Sequence, residues 1–123
     1  MIAEVKRAAP SAGAFTGIEP CEIARAYARA GAACLSILAD PNFGMTPEEF
    51  PAVRRAGNLP SLWKDFILDE IQIDQAYGLG ADAVLLIARL HERERLERLL
   101  RYADELGMES LVKIHDASEV ARL

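Results

Sequence analysis

The sequence is poor in several features that mark particular classes of protein. Its two cysteines, Cys21 and Cys34, are too few for a disulfide framework, and we expect them to be buried thiols in a reducing compartment. No apolar run approaches the roughly 20 residues that cross a bilayer. The N-terminal segment carries Glu4, Lys6 and Arg7, which is atypical of a signal peptide. We therefore expect a cytoplasmic protein without a membrane contact.

Basic residues are also scarce relative to acidic ones. The formal net charge is −5 and the sequence has no basic run, so it lacks the surface with which nucleic-acid-binding proteins neutralise phosphates. Of the two histidines, we expect His91 to lie on the surface at the start of a helix. No cluster of Cys, His and carboxylate residues has metal-ligand spacing. The sequence therefore predicts neither a nucleic-acid partner nor a metal site.

The sequence does contain a repeated pattern in which a glycine connects a helical stretch to a strand. Four glycines, Gly31, Gly57, Gly80 and Gly107, each follow a stretch with helical spacing and precede a short apolar segment. A glycine just past a helix end adopts the left-handed conformation that terminates the helix. The glycines recur at about 25 residues, which is the length of one strand, one helix and two short loops. The repeating unit is therefore βα.

Five strands and the helices between them follow from this repeat. The predicted strands are Ile2–Arg7, Cys34–Ala39, Ser61–Phe66, Ala83–Ala88 and Leu111–His115. The apolar run from Ala83 is typical of a parallel strand that is covered on both faces. Pro20 is expected in the first turn of the first helix, and Asp69 is expected to cap the third.

Such βα units form either an open doubly wound sheet or a barrel. The loop at residues 8–13 lacks the G-x-G-x-x-G spacing of the phosphate turn in open sheets. We therefore predict an α/β fold, a partial (β/α)8 TIM barrel of about five βα units with a parallel sheet, in a single domain over residues 1–123. A closed barrel needs roughly 200 residues. We expect an incomplete, N-terminal portion of a barrel that self-associates or pairs with a complementary half-barrel.

Charged residues on the strands indicate where the chemistry lies. Because side chains alternate along a strand, Glu4 and Lys6 share one face of the first strand, opposite its small apolar residues. Lys64 and Lys113 take the corresponding faces of the third and fifth strands, and His115 is a possible rim residue. Unpaired buried charges are costly, and active sites of barrels lie at the carboxyl ends of the strands. These residues predict a cationic pocket for a small anionic substrate.

The same segments resemble the indole-3-glycerol-phosphate synthase family. The sequence IAEVKRAAPS at residues 2–11 is similar to the family's first-strand motif, and LSILAD at residues 35–40, followed by Phe43 and Gly44, is similar to its second strand and loop. Lys64-Asp65-Phe66-Ile67 and GADAVLLI at residues 80–87 follow in the family's order and spacing. The similarity covers essentially the whole chain.

This resemblance implies a cofactor-free lyase of tryptophan biosynthesis. Such an enzyme closes and decarboxylates 1-(2-carboxyphenylamino)-1-deoxyribulose 5-phosphate. By resemblance, Lys64 is the general acid, Lys6 binds a substrate anion and assists proton transfer, and Glu4 orients or balances the lysines. The substrate-binding positions implied in the same way are Ser11, Phe43, Phe66, Leu85 and Ile87.

Three departures from the family pattern keep alternatives open. Lys113 stands where the family has a catalytic glutamate on its fifth strand, and Ala9 stands where it usually has serine. We also expect this sequence to lack the family's sixth to eighth strands and its N-terminal helical extension. One alternative is a non-catalytic half-barrel that self-associates or pairs with a missing half. Another is an aldolase-like enzyme in which Lys113 or Lys64 forms a Schiff base.

Overall fold

The computed structural model describes residues 2–6, 8–9, 13–14, 19–39 and 44–114, and its main feature is a parallel sheet of five strands. The strands are β1 Ile2–Val5, β2 Ala8–Ala9, β3 Gly13–Ala14, β4 Cys34–Leu38, β5 Ser61–Lys64, β6 Ala83–Ile87 and β7 Glu109–Lys113. The helices are α1 Pro20–Arg29, α2 Phe50–Gly57, α3 Glu70–Gly78 and α4 Arg93–Glu105, with short 3-10 helices at Pro47–Glu49 and Ala88–Leu90.

The order of the strands confirms the predicted α/β fold of a partial barrel. The main sheet runs β1-β4-β5-β6-β7, and all four neighbouring pairs are parallel. Each strand therefore lies beside the one that precedes it in the main sheet, as consecutive βα units require. The two-residue strands β2 and β3 form a separate antiparallel pair.

The strands lie where the hydrophobic pattern places them, but their ends differ. β1 ends at Val5 and β5 at Lys64, earlier than predicted, whereas β7 begins at Glu109 instead of Leu111. Glu109 joins the ladder opposite Ala83, and its N–H donates to the Asp82 carbonyl at 3.1 Å. Backbone pairing with β6 thus extends the strand through polar residues that carry no hydrophobic signal.

The hydrophobic core lies between the sheet and the helices. Ala3 and Val5 of β1 are buried in it, as the alternation predicted. Trp63 of β5 is only 1% exposed, and its ring centroid lies 5.1 Å from that of Phe50 in α2. Residues on the other face of each strand are left to line the interior of the partial barrel.

Most of the predicted helix ends are confirmed. Pro20 occupies the first turn of α1. Asp69 caps α3 by accepting a hydrogen bond from the Ile71 N–H at 3.2 Å. The left-handed conformation occurs at three of the four repeated glycines, namely Gly31, Gly80 and Gly107.

The prediction for Gly57 was wrong. Gly57 is the last residue of α2, and the left-handed residue is Asn58, with φ of 51°. Gly57 serves close packing instead, because a Cβ there would lie 2.6 Å from Cδ1 of Leu35 and 3.3 Å from Cβ of Ala24. This glycine lets α2 approach both α1 and β4.

The prediction for His91 was also wrong. Its exposed fraction is 7%, and it precedes α4 instead of opening it, since that helix begins at Arg93. The His91 N–H donates to the Ala88 carbonyl at 3.2 Å in a tight turn. This turn directs the imidazole into the protein, whereas a position at the start of a helix predicted it on the surface.

An ion pair joins α2 to the start of β6, at the end of the sheet opposite the carboxyl ends of the strands. Arg54 donates to both carboxylate oxygens of Asp82, at 2.9 and 3.1 Å, and the Ser61 N–H donates to Asp82 at 2.8 Å. Partial burial by itself raises the pKa of Asp82, but the bonds from Arg54 and Ser61 outweigh it, and the pKa lies below its ordinary value. Asp82 is therefore a structural carboxylate that ties helix to sheet.

The structure also bears on the state of the two cysteines and on membrane-spanning helices. Cys21 and Cys34 are free thiols and are half-buried. Within the ranges described above, no helix is both long and apolar enough to cross a membrane.

Candidate active site

A cavity of about 300 Å³ opens at the carboxyl end of the main sheet. Its walls are formed by Glu4, Lys6, Leu38, Lys64, Asp65, Phe66, Leu85, Ile87 and Lys113. This set includes all the predicted site residues that fall within the described ranges. Phe43, Ser11 and the possible rim residue His115 lie outside the described residues.

The register of the parallel strands places these side chains at the same height along the sheet, at the carboxyl ends of the strands. Lys64 of β5 pairs with Leu38 of β4, and Lys113 of β7 pairs with Ile87 of β6. Each of these four residues is the last of its strand, so their side chains surround the same opening. Glu4 lies one residue before the end of β1 and reaches the same cavity.

A carboxylate bridges two ammonium groups in the cavity. The Lys64 Nζ donates to Glu4 Oε1 at 2.5 Å, and the Lys6 Nζ lies 3.5 Å from Glu4 Oε2. Between 31% and 40% of each of the three side chains is exposed, so the group is accessible to a ligand. Each carboxylate oxygen of Glu4 therefore has its own lysine partner.

The surroundings of Glu4 keep its carboxylate ionised. Burial by itself raises the pKa of Glu4, but the hydrogen bond and charge of Lys64, together with the charge of Lys6, outweigh it. The pKa of Glu4 consequently lies below its ordinary value of 4.5. At neutral pH this carboxylate can hold both ammonium groups in place.

Lys113 differs from the other two lysines. Its side chain lines the cavity and is exposed, and no ion pair of Lys113 occurs in the described part of the chain. Among the described residues that line the cavity, Lys6, Lys64 and Lys113 outnumber the carboxylates of Glu4 and Asp65, which gives an excess of positive charge. An anionic ligand would be attracted to it.

The remaining walls are apolar. Leu85 and Ile87 of β6 form a small cluster with Leu62 of β5, and each of the three is 8% exposed. This cluster lies on the opposite face of the sheet from the main core. The side chain of Phe66 lines the cavity and is 56% exposed. Charged groups beside apolar and aromatic walls suit a ligand that combines anionic groups with a flat ring.

Sequence reasoning overlooked two wall residues and one simple signal. Asp65 directly follows β5 at its carboxyl end, where barrels carry functional groups, and Leu38 ends its strand beside Lys64. The signal is that Lys6, Lys64 and Lys113 are all the lysines of this sequence. A residue type confined to one pocket is an unusual distribution for a surface residue.

The described residues contain no group of three or more His, Cys, Asp or Glu side chains that could hold a metal ion. The chemistry that the arrangement does offer is that of ammonium groups and a carboxylate. An ammonium group can donate a proton to an oxygen on which negative charge develops, and it can also bind a carboxylate or a phosphate.

Comparison with known proteins relates the sequence of this chain to a known family. A family model described as indole-3-glycerol phosphate synthase matches residues 1–123. An indole-3-glycerol phosphate synthase of Neisseria meningitidis serogroup C is 53% identical over 99% of this chain and 48% of its own length. A protein of the same name from Carboxydothermus hydrogenoformans is 44% identical over 99% of this chain and 47% of its own length. Another from Azoarcus sp. is 44% identical over 98% of this chain and 46% of its own length. The chain spans about half the length of the curated relatives it matches.

Proposed function

This chain belongs to the indole-3-glycerol phosphate synthase family, and we propose that its pocket supplies the acid–base groups for that synthase reaction. The substrate would be 1-(2-carboxyphenylamino)-1-deoxyribulose 5-phosphate, and the products would be indole-3-glycerol phosphate, CO₂ and water. The observation that carries the proposal is the contact of Lys64 and Lys6 with one carboxylate, Glu4, beside apolar walls.

The proposed roles follow from what each group can donate or bind. In ring closure an aromatic carbon attacks the carbonyl carbon of the substrate, and the carbonyl oxygen must gain a proton. Lys64 is the proposed donor, because Glu4 fixes its ammonium group at the carboxyl end of β5. Lys6 would bind the substrate carboxylate until CO₂ leaves and would then assist the loss of water. Glu4 would orient both lysines.

The walls of the pocket would bind the aromatic ring of the substrate. Phe66, Leu85 and Ile87 are the proposed contacts within the described residues, and Ser11 and Phe43 are proposed from the family resemblance. Because these contacts are made equally to the substrate and to the transition state, their loss should raise KM more than it lowers kcat.

A partner that covers the inner face of the sheet would enclose the pocket. β1 and β7 are the edges of the main sheet, and Ile2 and Leu111 on them are 54% and 47% exposed. We propose that a complementary barrel half covers this face, and that a second copy covers it when the chain is alone. The free, half-buried thiols also support a reducing cytoplasmic location, which cell fractionation would test.

Reconstitution of turnover tests the proposed reaction. The 123-residue chain would be mixed or fused with the C-terminal half of the Neisseria meningitidis relative, and formation of indole-3-glycerol phosphate would be followed by its fluorescence. We expect turnover from the assembled protein and little or none from the chain alone. A folded assembly that binds the substrate without converting it would favour a non-catalytic half-barrel.

One observation favours a second candidate function. Lys113 lines the pocket without an ion pair in the described part of the chain, and its ammonium group, after losing a proton to water, could condense with a carbonyl compound to give an imine and water. Borohydride reduction in the presence of a carbonyl substrate would trap that imine. With three lysines in the sequence, peptide mapping identifies the site, and loss of trapping in Lys113→Arg but not in Lys64→Arg would support this chemistry.

A further inference from the structure

The segment between β5 and α3, residues 65–69, is held by hydrogen bonds from side chains. Gln72 of α3 makes three of them. Its Nε2 donates to the Phe66 carbonyl at 2.8 Å, and its Oε1 accepts from the N–H groups of Leu68 and Asp69, at 2.6 and 3.1 Å. A single amide group therefore joins three backbone positions of the segment.

A second helix holds the same segment through Arg95. Arg95 of α4 donates from Nη2 to the Leu68 carbonyl at 3.1 Å and from Nη1 to Glu70 Oε1 at 2.7 Å. Its Nη2 also lies 3.6 Å from Asp69 Oδ2. The side chain of Arg95 is 28% exposed, so part of this contact is shielded from water.

The segment that these bonds fix connects two residues of the pocket to the core. Lys64 ends β5 at its start, and Phe66 lines the cavity two residues later. Ile67, next in sequence, is 1% exposed and anchors the segment in the core. The Phe66 N–H also donates to Asp65 Oδ1 at 2.8 Å. The backbone at Phe66 is thus tied through both its N–H and its carbonyl.

We propose that Gln72 and Arg95 are positioning residues, which hold the 65–69 segment so that the Phe66 ring stands as a preformed wall of the pocket. The proposal deepens the proposed function and rests on it for the identity of the ligand. Neither residue touches the pocket; each acts through the backbone of the segment. A wall that is ordered before binding costs less entropy when the ligand arrives.

A purely structural role for Gln72 makes a different prediction. Gln72 is the third residue of α3 and forms a capping box with Asp69, for which only its Oε1 is needed. The bond from Nε2 to the Phe66 carbonyl lies outside that box. Gln72→Glu keeps an acceptor for Leu68 and Asp69 but removes the donor to Phe66, so it separates the two roles.

The first measurement uses the 123-residue chain labelled with 4-fluorophenylalanine. The sequence has four phenylalanines, and Phe66→Leu assigns the signal of Phe66. We expect Gln72→Glu to shift or broaden that signal while the amide hydrogens of Leu68 and Asp69 keep their protection. The matched control is Gln75→Glu, which adds the same charge on an exposed position of the same helix. An unchanged Phe66 signal in Gln72→Glu would overturn the proposal.

The second measurement compares steady-state kinetics in the assembled barrel. Gln72→Glu should raise KM roughly threefold to tenfold, which is the effect of losing one ordering hydrogen bond, with little change in kcat. Arg95→Met should raise KM in the same direction, and Gln75→Glu should not. Equal KM values for Gln72→Glu and Gln75→Glu would contradict the positioning role. If the assembly shows no turnover, the proposed function fails, and the Phe66 signal alone decides whether Gln72 orders the segment.

Discussion

At the scale of single residues, Lys113 is the clearest difference between this pocket and the family pattern. Its position on the fifth strand of the main sheet is one at which the family resemblance implies a catalytic glutamate. A carboxylate there would accept a proton during loss of water and would balance the charge of Lys6 and Lys64. We predict that Lys113→Glu raises the synthase activity of the assembled barrel at least tenfold, or about 1.4 kcal/mol of transition-state free energy.

The check for Lys113 is kcat/KM of both versions, followed by indole fluorescence. Lys113→Gln is the matched control, because it removes the positive charge without supplying a base. An activity of Lys113→Glu equal to or below that of the unaltered protein would show that the position no longer serves this reaction. Imine chemistry at Lys113 would then become the stronger interpretation.

Asp82 should make stability depend on pH in a defined direction. Its pKa is below the ordinary value of 3.8 in the folded state, so the folded protein binds this proton less readily than the unfolded chain. Its contribution to stability is therefore complete above that ordinary value and is lost as the pH falls through the lower folded pKa. We predict that Asp82→Asn lowers the free energy of unfolding at pH 7 and flattens its decline in acid.

Urea unfolding between about pH 7 and pH 2 measures this effect. Asp104→Asn, an exposed change on α4, provides the comparison. The interpretation of Asp82 would be wrong if Asp82→Asn and Asp104→Asn lost stability in parallel as the solution is acidified.

At the scale of elements, the contact of α2 with α1 and β4 depends on the absence of one side chain. A Cβ on Gly57 would lie 2.6 Å from a methyl group of Leu35, which is fully buried and has little room to move. We predict that Gly57→Ala lowers the free energy of unfolding by about 1–3 kcal/mol, the usual cost of overpacking a core. Urea unfolding at one fixed protein concentration is the measurement.

Gly78 provides a matched control within α3. It has no heavy atom within 4 Å of an added Cβ, and its φ is not positive. Gly78→Ala should therefore raise stability slightly, by about 0.5 kcal/mol, because alanine loses less backbone entropy on folding. If both variants changed stability equally, close packing at Gly57 would not be the reason for its glycine.

Local periodicity was sufficient to predict the elements and the inner face of the sheet. Alternation along β1 distinguished Glu4 and Lys6 from Ala3 and Val5, because a period of two leaves no ambiguity once one face is apolar. The same alternation predicts Lys64 and Lys113 on the inner face, and both line the cavity. The roles of those residues, by contrast, come from the family resemblance and stay predictions.

Features that depend on tertiary contacts could not be predicted in this way. Gly57 has the same sequence pattern as Gly31, a glycine between a helical stretch and an apolar segment. Its φ is not left-handed, however, and a side chain is excluded there because Leu35 lies too close. The burial of His91 depends on a turn that helical spacing does not reveal. The bond from Gln72 to the Phe66 carbonyl joins an α3 side chain to a loop backbone, which no residue pattern specifies.

At the scale of the whole molecule, the two edge strands of the main sheet each carry an exposed apolar residue. β1 and β7 lie at its edges, and Ile2 and Leu111 on them are largely exposed. Such edges recruit further strands. We predict that the isolated 123-residue chain self-associates at micromolar concentration and that addition of the complementary half dissociates these assemblies. Sedimentation that shows only a compact 13.5 kDa species would contradict this prediction.

We propose that the lysine–glutamate pocket at the carboxyl end of the sheet performs acid catalysis, with Lys64 as the acid. The test is kcat for Lys64→Met in the assembled barrel, with binding of indole-3-glycerol phosphate measured in parallel. Methionine keeps an unbranched side chain that is one heavy atom shorter, and it cannot donate a proton. We predict that kcat falls about 10²- to 10⁴-fold while the protein remains folded and still binds the product. A kcat within a few-fold of the unaltered protein would contradict the claim.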